Sequence, residues 1–363
     1  MSHRIGVVGA SGYGGAELLR LADAHPALDI EVVAAHSQAG QPVAGLFPNL
    51  AGERTFDPID LDTLAGLDLV VLATPHGVAL ELGAALYDAG TPVIDLSAAF
   101  RLSAEGFSTW YGETHTRPDL CASGPDTAAD VAYGLPELHR ERIAGSRLIA
   151  NPGCYPTATL LALAPLTGLT VPGTVVVDAK SGTSGAGRAP KDNLHFAHVH
   201  GDLTAYGAPT HRHTGEIETW LPRAGTTGAT GGAEGAAAPP TQPAPISFTP
   251  HLIPMTRGLF TTAYAQLTED AAPDDVQDAL HVAYDDEPFV HVLASGTFPH
   301  TKALAGSNGC QLSALVDERT RRVVVTAAID NLGKGAAGQA VQNANLLLGE
   351  EETLGLSAIG VYP

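Results

Sequence analysis

The residues best suited to covalent chemistry lie in segment 151–157, which reads Asn-Pro-Gly-Cys-Tyr-Pro-Thr. A Pro-Gly turn precedes Cys154, and the apolar run 158–169 that follows it predicts a helix. A cysteine near the start of a helix lies close to unpaired backbone N–H groups and the positive end of the helix dipole, which favour thiolate over thiol. Cys154 is therefore a candidate nucleophile. The alternative is a buried cysteine that acts only as a small apolar residue.

Segment 210–217, Thr-His-Arg-His-Thr-Gly-Glu-Ile, supplies candidate acid/base groups. His211 and His213 lie two positions apart, so in an extended chain they share one side while Arg212 faces the other. An imidazole titrates near neutral pH and suits proton transfer in both directions. The residues alone leave open which histidine acts. As a metal site the pair is weak, because no cysteine or carboxylate ligands accompany it, and we predict no metal. Three more histidines are remote metal candidates: His195, His198 and His200.

A glycine-rich turn at 9–15, Gly-Ala-Ser-Gly-Tyr-Gly-Gly, follows the first predicted strand and opens a predicted helix. Small residues there let the backbone approach a pyrophosphate, which then lies on helix N–H groups. This pattern predicts a dinucleotide site.

The end of the second predicted strand bears on which nicotinamide cofactor binds. An acidic residue there would hydrogen-bond the ribose 2′-OH and repel a 2′-phosphate. Segment 34–38 reads Ala-Ala-His-Ser-Gln, with no carboxylate and a hydroxyl at Ser37, which favours NADP. Alternatively, Ser37 only caps a turn. We expect loop 73–77 to run beneath the cofactor and loop 95–101 to point toward the catalytic cleft. His76 is more typical of a capping or packing residue than of a base.

Composition bounds the class of protein. The chain has 363 residues, which favours about two domains, and a hydrophobic content of 44% with only 6% aromatics, typical of α/β proteins. A formal charge of −20 opposes binding to nucleic acid and anionic membranes. The cations Lys180, Arg188, Lys191 and Arg212 group together, which indicates a small anionic ligand or a solvated loop. Three widely spaced cysteines, no leader and no long apolar run predict a soluble cytoplasmic protein.

Short apolar runs alternating with helical stretches predict a Rossmann-type parallel sheet in the first half. The predicted strands are 4–8, 30–35, 67–73, 92–96 and 147–150, and the predicted helices are 14–24 and 77–89. After Cys154 the β-rich runs 174–179, 247–252, 258–267 and 322–329 predict an α+β domain with a mixed or antiparallel sheet. A helix over 336–348 is expected to return to the first domain. We therefore expect an NADP-binding domain at 1–153 with 331–363, and a catalytic and dimerisation domain at 154–330. The Ala/Gly/Thr/Pro-rich segment 224–245 predicts a flexible surface insertion.

Six motifs in order carry a family resemblance: 9–15, 151–157, 180–188 (KSGTSGAGR), 211–217 (HRHTGEI), 248–258 (FTPHLIPMTRG) and 331–339 (NLGKGAAGQ). The chain resembles the N-acetyl-γ-glutamyl-phosphate reductases of the semialdehyde dehydrogenase family, which act with NADPH in arginine biosynthesis. The resemblance implies that Cys154 is the nucleophile and His213 the general acid/base.

The resemblance also implies the binding residues. Expected substrate contacts are Arg101, Ser181, Gly182, Ser184, Arg188, Arg212 and Glu216. Expected cofactor contacts are Gly9, Ser11, Gly12, Tyr13, Gly14, His36, Ser37, Thr74, Pro75, Ser97, Gly185, Asn331, Lys334 and Gly335. Segment 331–339 either closes over the nicotinamide or forms a flexible joint. The β-rich domain offers a self-association surface, and we expect a homodimer or homotetramer.

Three other functions compete with this one. Aspartate-semialdehyde dehydrogenases share the chemistry and general plan, so only the wording of motifs 151–157 and 211–217 discriminates against them. A reductase acting on an aminoadipyl-type substrate is a second neighbour. A non-catalytic NADP-sensing protein belongs to a different class, and it has little need for a thiol, histidines and arginines together.

Overall fold

The computed structural model describes residues 2–50, 52–124, 126–221 and 245–362. Apart from Pro245, the predicted insertion at 224–245 lies outside the described residues. The chain separates into two compact units. The first comprises Met1–Gly153, Ala186–Ala189 and Ala336–Ser357, and the second comprises Cys154–Gly185, Pro190–Gly335 and Ala358–Pro363.

The first unit contains a parallel sheet of six strands among its described residues. The strands are β1 (His3–Val8), β2 (Leu28–Ala34), β3 (Leu69–Leu72), β4 (Val93–Asp95), β5 (Val131–Tyr133) and β6 (Leu148–Ala150). Their order is β2-β1-β3-β4-β6-β5, and every neighbouring pair is parallel. The predicted Rossmann-type sheet is therefore confirmed. Strand β5 was not predicted, because three residues are too few to show a period.

Helices connect these strands, as a parallel sheet requires. They are α1 (Tyr13–Asp23), α2 (Val43–Leu46), α3 (Leu61–Ala65), α4 (His76–Asp88), α5 (Ala104–Tyr111) and α6 (Pro136–Ala144). The core between sheet and helices consists mainly of aliphatic side chains, such as Ile5, Leu18, Val71 and Ile149, each at most 1% exposed. The aliphatic core agrees with the low aromatic content of the sequence. The polar residues that could bind ligands therefore lie mainly in the loops at the strand ends.

The second unit is built on a mixed sheet. Its described strands are β7 (Val176–Gly182), β8 (Thr204–Ala205), β9 (Ser247–Ile253), β10 (Leu259–Gln266), β11 (Val290–Val292), β12 (Cys310–Asp317) and β13 (Arg322–Ile329). The order is β11-β12-β13-β10-β7-β9-β8. Strands β7 and β9, like β11 and β12, pair in parallel, and the other neighbours are antiparallel. The predicted mixed sheet is confirmed, and β12 is the long strand that the sequence pattern did not reveal.

The helices of this unit are α7 (Cys154–Leu163), α8 (Phe196–Val199), α9 (His213–Trp220) and α10 (Pro273–Tyr284). The prediction of a helix over 158–169 was wrong at both ends. Helix α7 starts at Cys154. Pro156 is compatible with this start, because it lies in the first turn, where a backbone N–H has no intrahelical acceptor. It ends at Leu163, and a 3₁₀ turn over Ala164–Leu166 contains Pro165.

The last helix, α11 (Gly338–Leu348), follows a π-helical turn over Gly333–Ala337. It packs against α6 and α1 within the first unit. Four buried amide side chains line it, at Gln339, Gln342, Asn343 and Asn345, so its inner face is more polar than the sequence pattern indicated. None of the helices in the described ranges is both long and apolar enough to cross a bilayer.

Candidate active site

The glycine-rich turn after β1 is shaped by two positions that leave no room for a side chain. Gly9 has a φ of +84°, and a Cβ there would lie 2.4 Å from the carbonyl oxygen of Ala73. A Cβ on Gly15 would lie 2.6 Å from the Cα of Ala10. The backbone therefore makes close approaches that only glycine allows. A loop packed this tightly presents its amide groups, rather than side chains, to a ligand.

Helix α1 starts within this turn, with Gly12 as its N-cap, Tyr13 as its first residue and Gly14 as its second. Its first turn contains no acidic side chain, and no side chain caps it. The N–H groups and positive dipole end are therefore not neutralised by a carboxylate of the helix's own first turn, which suits a pyrophosphate.

Neighbouring strand ends add polar groups to the same unit. The hydroxyl of Thr74, between β3 and α4, is buried with no hydrogen-bond partner among the described residues, and Pro75 is the N-cap of α4. His36 and Ser37 are exposed in a 3₁₀ turn directly after β2, and segment 34–38 contains no acidic residue. These groups and the glycine cradle fit a nicotinamide dinucleotide whose ribose carries a 2′-phosphate.

Arg188 also belongs to this first unit. Its Nε donates to the carbonyl oxygen of Ser11 at 2.6 Å, and the rest of the side chain is exposed. The sequence assigned Arg188 to the substrate. The structure instead brings its guanidinium to the glycine-rich turn.

Loop 95–101 holds itself together. The hydroxyl of Ser97, a predicted cofactor contact, donates to Asp95 at 2.7 Å and accepts from the Ala99 N–H at 3.1 Å, so it stabilises the turn. Arg101 is 5% exposed and donates to the carbonyl oxygens of Asn151 and Leu96, at 2.8 and 2.7 Å. Complete burial raises the pKa of Asp95 to about 6, while the Ser97 hydrogen bonds and Arg101 oppose the rise.

In the second unit, Cys154 is the first residue of α7, as a thiol stabilised by a helix N-terminus requires. Loop 330–335 closes one side of it, because a Cβ on Gly335 would lie 2.8 Å from the Cβ of Cys154. Helix α7 is buried from Tyr155 to Leu163 and packs against β10, β13 and α9. The packing of α7 against these elements therefore fixes the backbone that carries the thiol.

Tyr155, directly after the thiol, connects it to the histidine segment. The Tyr155 ring meets the rings of His211 and His213 edge-on, with both centroid distances at 5.8 Å. Its hydroxyl donates to the carbonyl oxygen of His251 at 3.2 Å and lies 3.2 Å from the Tyr206 hydroxyl. His213 therefore stands beside the residue that follows the candidate nucleophile.

The two histidines do not lie in extended chain. Helix α9 starts at His213, and Arg212 already has helical backbone angles, so the premise of alternating sides was wrong. Instead the His213 backbone N–H donates to Nδ1 of His211 at 3.2 Å. Burial, with a smaller contribution from the Arg212 charge, lowers the pKa of His211 to about 4. His211 is therefore neutral near pH 7.

The residues of the predicted substrate loop make several contacts with neighbouring segments of the second unit. Ser181 donates to the Gly182 carbonyl oxygen at 3.2 Å, and Ser184 accepts from the Asn331 side-chain amide at 2.9 Å. A Cβ on Gly182 would meet the Met255 carbonyl oxygen at 2.9 Å, whereas Gly185 is exposed. Among the other predicted contacts, Arg212 is exposed and Glu216 is 1% exposed within α9.

Segment 330–335 is organised by Asp330, which the sequence analysis did not single out. Its carboxylate accepts hydrogen bonds from Arg257 and from the backbone N–H groups of Leu332 and Gly333. Asn331, a predicted cofactor contact, accepts from the Gly258 N–H at 2.7 Å and donates its side-chain amide to Ser184 at 2.9 Å. Lys334 is fully buried. The sequence signal that could have identified Asp330 is its position just before the glycine-rich segment 333–338, whose backbone N–H groups a carboxylate can bind.

The aromatic residues around the histidines were also missed. Phe248 and Tyr206 pack edge-on against His211, at 5.5 and 5.4 Å between centroids. Phe248 and Tyr155 lie within the motifs on which the resemblance is based, but the sequence did not indicate that their rings pack against the histidines. In the described part of the chain, no group of three or more His, Cys, Asp or Glu side chains is placed to hold a metal ion.

Comparisons with known proteins match this architecture. The model of the semialdehyde dehydrogenase NAD-binding domain matches residues 4–146, and that of the semialdehyde dehydrogenase dimerisation domain matches 154–331. Solved structures of aspartate semialdehyde dehydrogenases share the fold. The enzyme with NADP from Candida albicans has a TM-score of 0.69 at 16% identity, covering 96% of this chain and 99% of that one. Aspartate semialdehyde dehydrogenase II from Vibrio cholerae has a TM-score of 0.68 at 15% identity, covering 96% and 98%.

Much closer sequence relatives exist. A protein of Symbiobacterium thermophilum named N-acetyl-gamma-glutamyl-phosphate reductase is 45% identical, covering 100% of both chains. One of the same name from Brevibacillus brevis is 44% identical, covering 99% of both. This chain therefore belongs to the semialdehyde dehydrogenase family and, within it, to the N-acetyl-γ-glutamyl-phosphate reductases. It is an oxidoreductase with a nicotinamide dinucleotide-binding domain.

Proposed function

We propose that this chain reduces N-acetyl-γ-glutamyl phosphate with NADPH, giving N-acetylglutamate 5-semialdehyde and phosphate in arginine biosynthesis. The observation that carries the proposal is Cys154 at the first position of α7, next to a tyrosine whose ring contacts His213, in a chain 45% identical to a reductase of this name. A thiol and an imidazole are the two groups that acyl transfer to sulfur requires.

In the first half of the reaction, His213 takes the thiol proton of Cys154 and becomes an imidazolium. The Cys154 sulfur forms a bond to the acyl carbon as the carbon–oxygen bond to phosphate breaks. Phosphate leaves with that electron pair and takes up a solvent proton. The positive end of the α7 dipole favours the oxyanion that forms during the attack. The product of this half is a thioester on Cys154.

NADPH, when bound, supplies the hydride that reduces the thioester carbon. The resulting alkoxide, still attached through carbon to Cys154, accepts a hydrogen bond from the His213 imidazolium. When the carbonyl forms again, the carbon–sulfur bond breaks and the departing sulfur recovers its proton from His213. The semialdehyde is released and both side chains return to their starting states.

The proposed cofactor residues are those of the glycine-rich turn, the Thr74–Pro75 loop and the exposed pair His36 and Ser37. The absence of a carboxylate after β2 supports NADP over NAD. We add Arg188 to this group, because its bond to Ser11 puts a cation at the loop that would hold the pyrophosphate. Gly185 and Gly335 remain proposed contacts on the nicotinamide side.

For the substrate, we propose that the exposed guanidinium of Arg212 binds an anionic group, with Arg101 as the second candidate. Arg212 is adjacent in sequence to His213, so a carboxylate or phosphate held there would be close to the proton carrier. Arg101 would have to exchange its bonds to backbone carbonyl oxygens for bonds to the substrate.

We further propose a cytoplasmic homodimer formed through the open face of the mixed sheet. Val176 and Tyr264, opposite each other on β7 and β10, leave apolar side chains 40% and 36% exposed. The family model for this part of the chain is described as a dimerisation domain, which supports self-association through the second unit. A homotetramer would need a second interface.

The test is a steady-state assay of phosphate-dependent oxidation with NADP⁺, comparing N-acetylglutamate semialdehyde with aspartate semialdehyde. We expect the N-acetylated substrate to have a kcat/KM at least a hundredfold higher. Preference for aspartate semialdehyde would make the chain a dehydrogenase of that substrate. Turnover of neither, together with tight NADPH binding, would favour a non-catalytic sensor.

A further inference from the structure

His211 lies in a cage of four rings. The centroid of its imidazole is 5.8 Å from Tyr155, 5.4 Å from Tyr206, 5.5 Å from Phe248 and 4.9 Å from His213. All four contacts are edge-to-face, with interplanar angles between 65° and 88°. Edge-to-face packing fixes both the position and the tilt of a ring. The cage therefore holds the His211 imidazole in one orientation.

That orientation points Nδ1 at the start of α9. The backbone N–H of His213 donates to this nitrogen at 3.2 Å. Because Nδ1 accepts, its lone pair is engaged, and the neutral ring carries its proton on Nε2. His213 is the first residue of α9, and the N–H of a first residue has no intrahelical partner. His211 supplies that missing acceptor, so it acts as a cap for the helix that carries His213.

These contacts separate the roles of two residues that sequence spacing alone made equivalent. His213 is the residue whose backbone N–H is held by His211, and its ring contacts the rings of both His211 and Tyr155. A proton carrier must change its charge during each cycle, whereas a caged ring whose Nδ1 holds a backbone N–H is suited to staying neutral. The low pKa of His211, caused by its burial, agrees with this division.

We propose that His211 is a positioning residue: its Nδ1, held in place by the aromatic cage, accepts the His213 backbone N–H and so fixes the position of the His213 imidazole for proton transfer at Cys154. This inference rests on the proposed role of His213 as the acid/base. It assigns no proton transfer to His211 itself, and it identifies the aromatic cage as the support for the catalytic pair.

Two substitutions separate the acceptor from the ring. His211→Asn keeps an acceptor oxygen near the place of Nδ1, whereas His211→Phe keeps a ring and removes the acceptor. We expect the Asn variant to retain kcat within about threefold. We expect the Phe variant to lose roughly 10- to 100-fold in kcat, the scale of a misplaced catalytic group, with KM for NADP⁺ unchanged.

A titration independent of turnover accompanies the kinetics. The imidazole C–H resonance of His213, assigned by its disappearance in His213→Asn, is followed by NMR against pH. We expect the His213 titration midpoint to be preserved in His211→Asn and displaced in His211→Phe. If the wild type turns over no semialdehyde, the proposed function fails, while this titration still tests the positioning of His213.

Two results would overturn the inference. If His211→Asn loses as much turnover as His213→Asn, and the corresponding limb of its pH profile disappears, His211 carries the proton. If a folded His211→Phe variant keeps wild-type kcat and the wild-type His213 titration, His211 positions nothing. Should His211→Phe not fold, the Asn variant alone still decides between positioning and proton transfer.

Discussion

The two units build their sites in opposite ways. In the first unit the glycine-rich turn depends on side chains that are missing, since a Cβ on Gly9 or Gly15 would come within 2.7 Å of backbone atoms. In the second unit the histidines are held by side chains that are present, in the cage of Tyr155, Tyr206 and Phe248. A cofactor phosphate is recognised by backbone amides, whereas proton transfer needs a ring at a fixed angle. Changes to the glycine-rich turn should therefore alter cofactor binding, and changes to the histidines and their aromatic neighbours should alter chemistry.

The largest effect is expected from Cys154→Ser, because a serine hydroxyl at this position is far less ionised than a thiol. Semialdehyde oxidation should become undetectable, while NADPH affinity, measured by fluorescence titration, stays within about twofold. Substantial turnover by a verified Ser variant would exclude covalent catalysis through this residue.

The next largest effect on chemistry is expected from His213→Asn. Loss of proton transfer should lower kcat by roughly 10²–10⁴-fold. The KM for NADP⁺ should not change, because His213 is not among the proposed cofactor contacts. An unchanged kcat would exclude His213 from the mechanism. A change confined to the KM for NADP⁺ would mean that His213 contributes to cofactor binding and not to proton transfer.

In the first unit, Gly9→Ala should weaken NADPH binding at least tenfold. The added Cβ would lie 2.4 Å from the Ala73 carbonyl oxygen, at a φ of +84°, so the turn must shift. Gly168→Ala is the matched control, because a Cβ there meets nothing within 4 Å. Calorimetric titration with NADPH checks both variants, and equal affinity would mean that the cradle does not form the cofactor site.

The smallest effect is expected from Arg188→Gln, since this side chain is exposed. We expect about a tenfold rise in the KM for NADPH, on the scale of one hydrogen bond to a charged group, with the KM for the acyl phosphate unchanged. Arg188→Lys, which keeps the charge, should fall between the two. A rise confined to the KM for the acyl phosphate would return Arg188 to the substrate role that the sequence indicated.

The sequence predicted most of the fold, because long strands such as β1 and β13 and the helices α1 and α4 have clear periods and turn signals. It missed β5, which is only three residues long, and β12, in which Gln311 and Ser313 interrupt the apolar run. The start of α7 at Cys154 required knowing that Pro156 is tolerated in a first turn. These misses concern boundaries and short elements, where local pattern is weakest.

The site was predictable as a set of motifs but less so as contacts. Cys154 and the two histidines were identified from residue chemistry and spacing. The hydrogen bond from His213 to His211 was not, because it depends on a helix starting at His213 rather than on extended chain. The hydrogen bonds of Arg188 and Asn331 likewise join partners distant in sequence, Ser11 and Ser184, which no local pattern reveals.

The most direct test of the account uses N-acetylglutamate semialdehyde and NADP⁺ with phosphate left out. Without phosphate the thioester on Cys154 cannot be released as acyl phosphate, so rapid mixing should give a burst of one NADPH per active chain. Intact-mass analysis of the quenched protein should then place the acyl group on Cys154, and adding phosphate should restore turnover. The absence of any burst without phosphate, or an acyl group on another residue, would contradict the account.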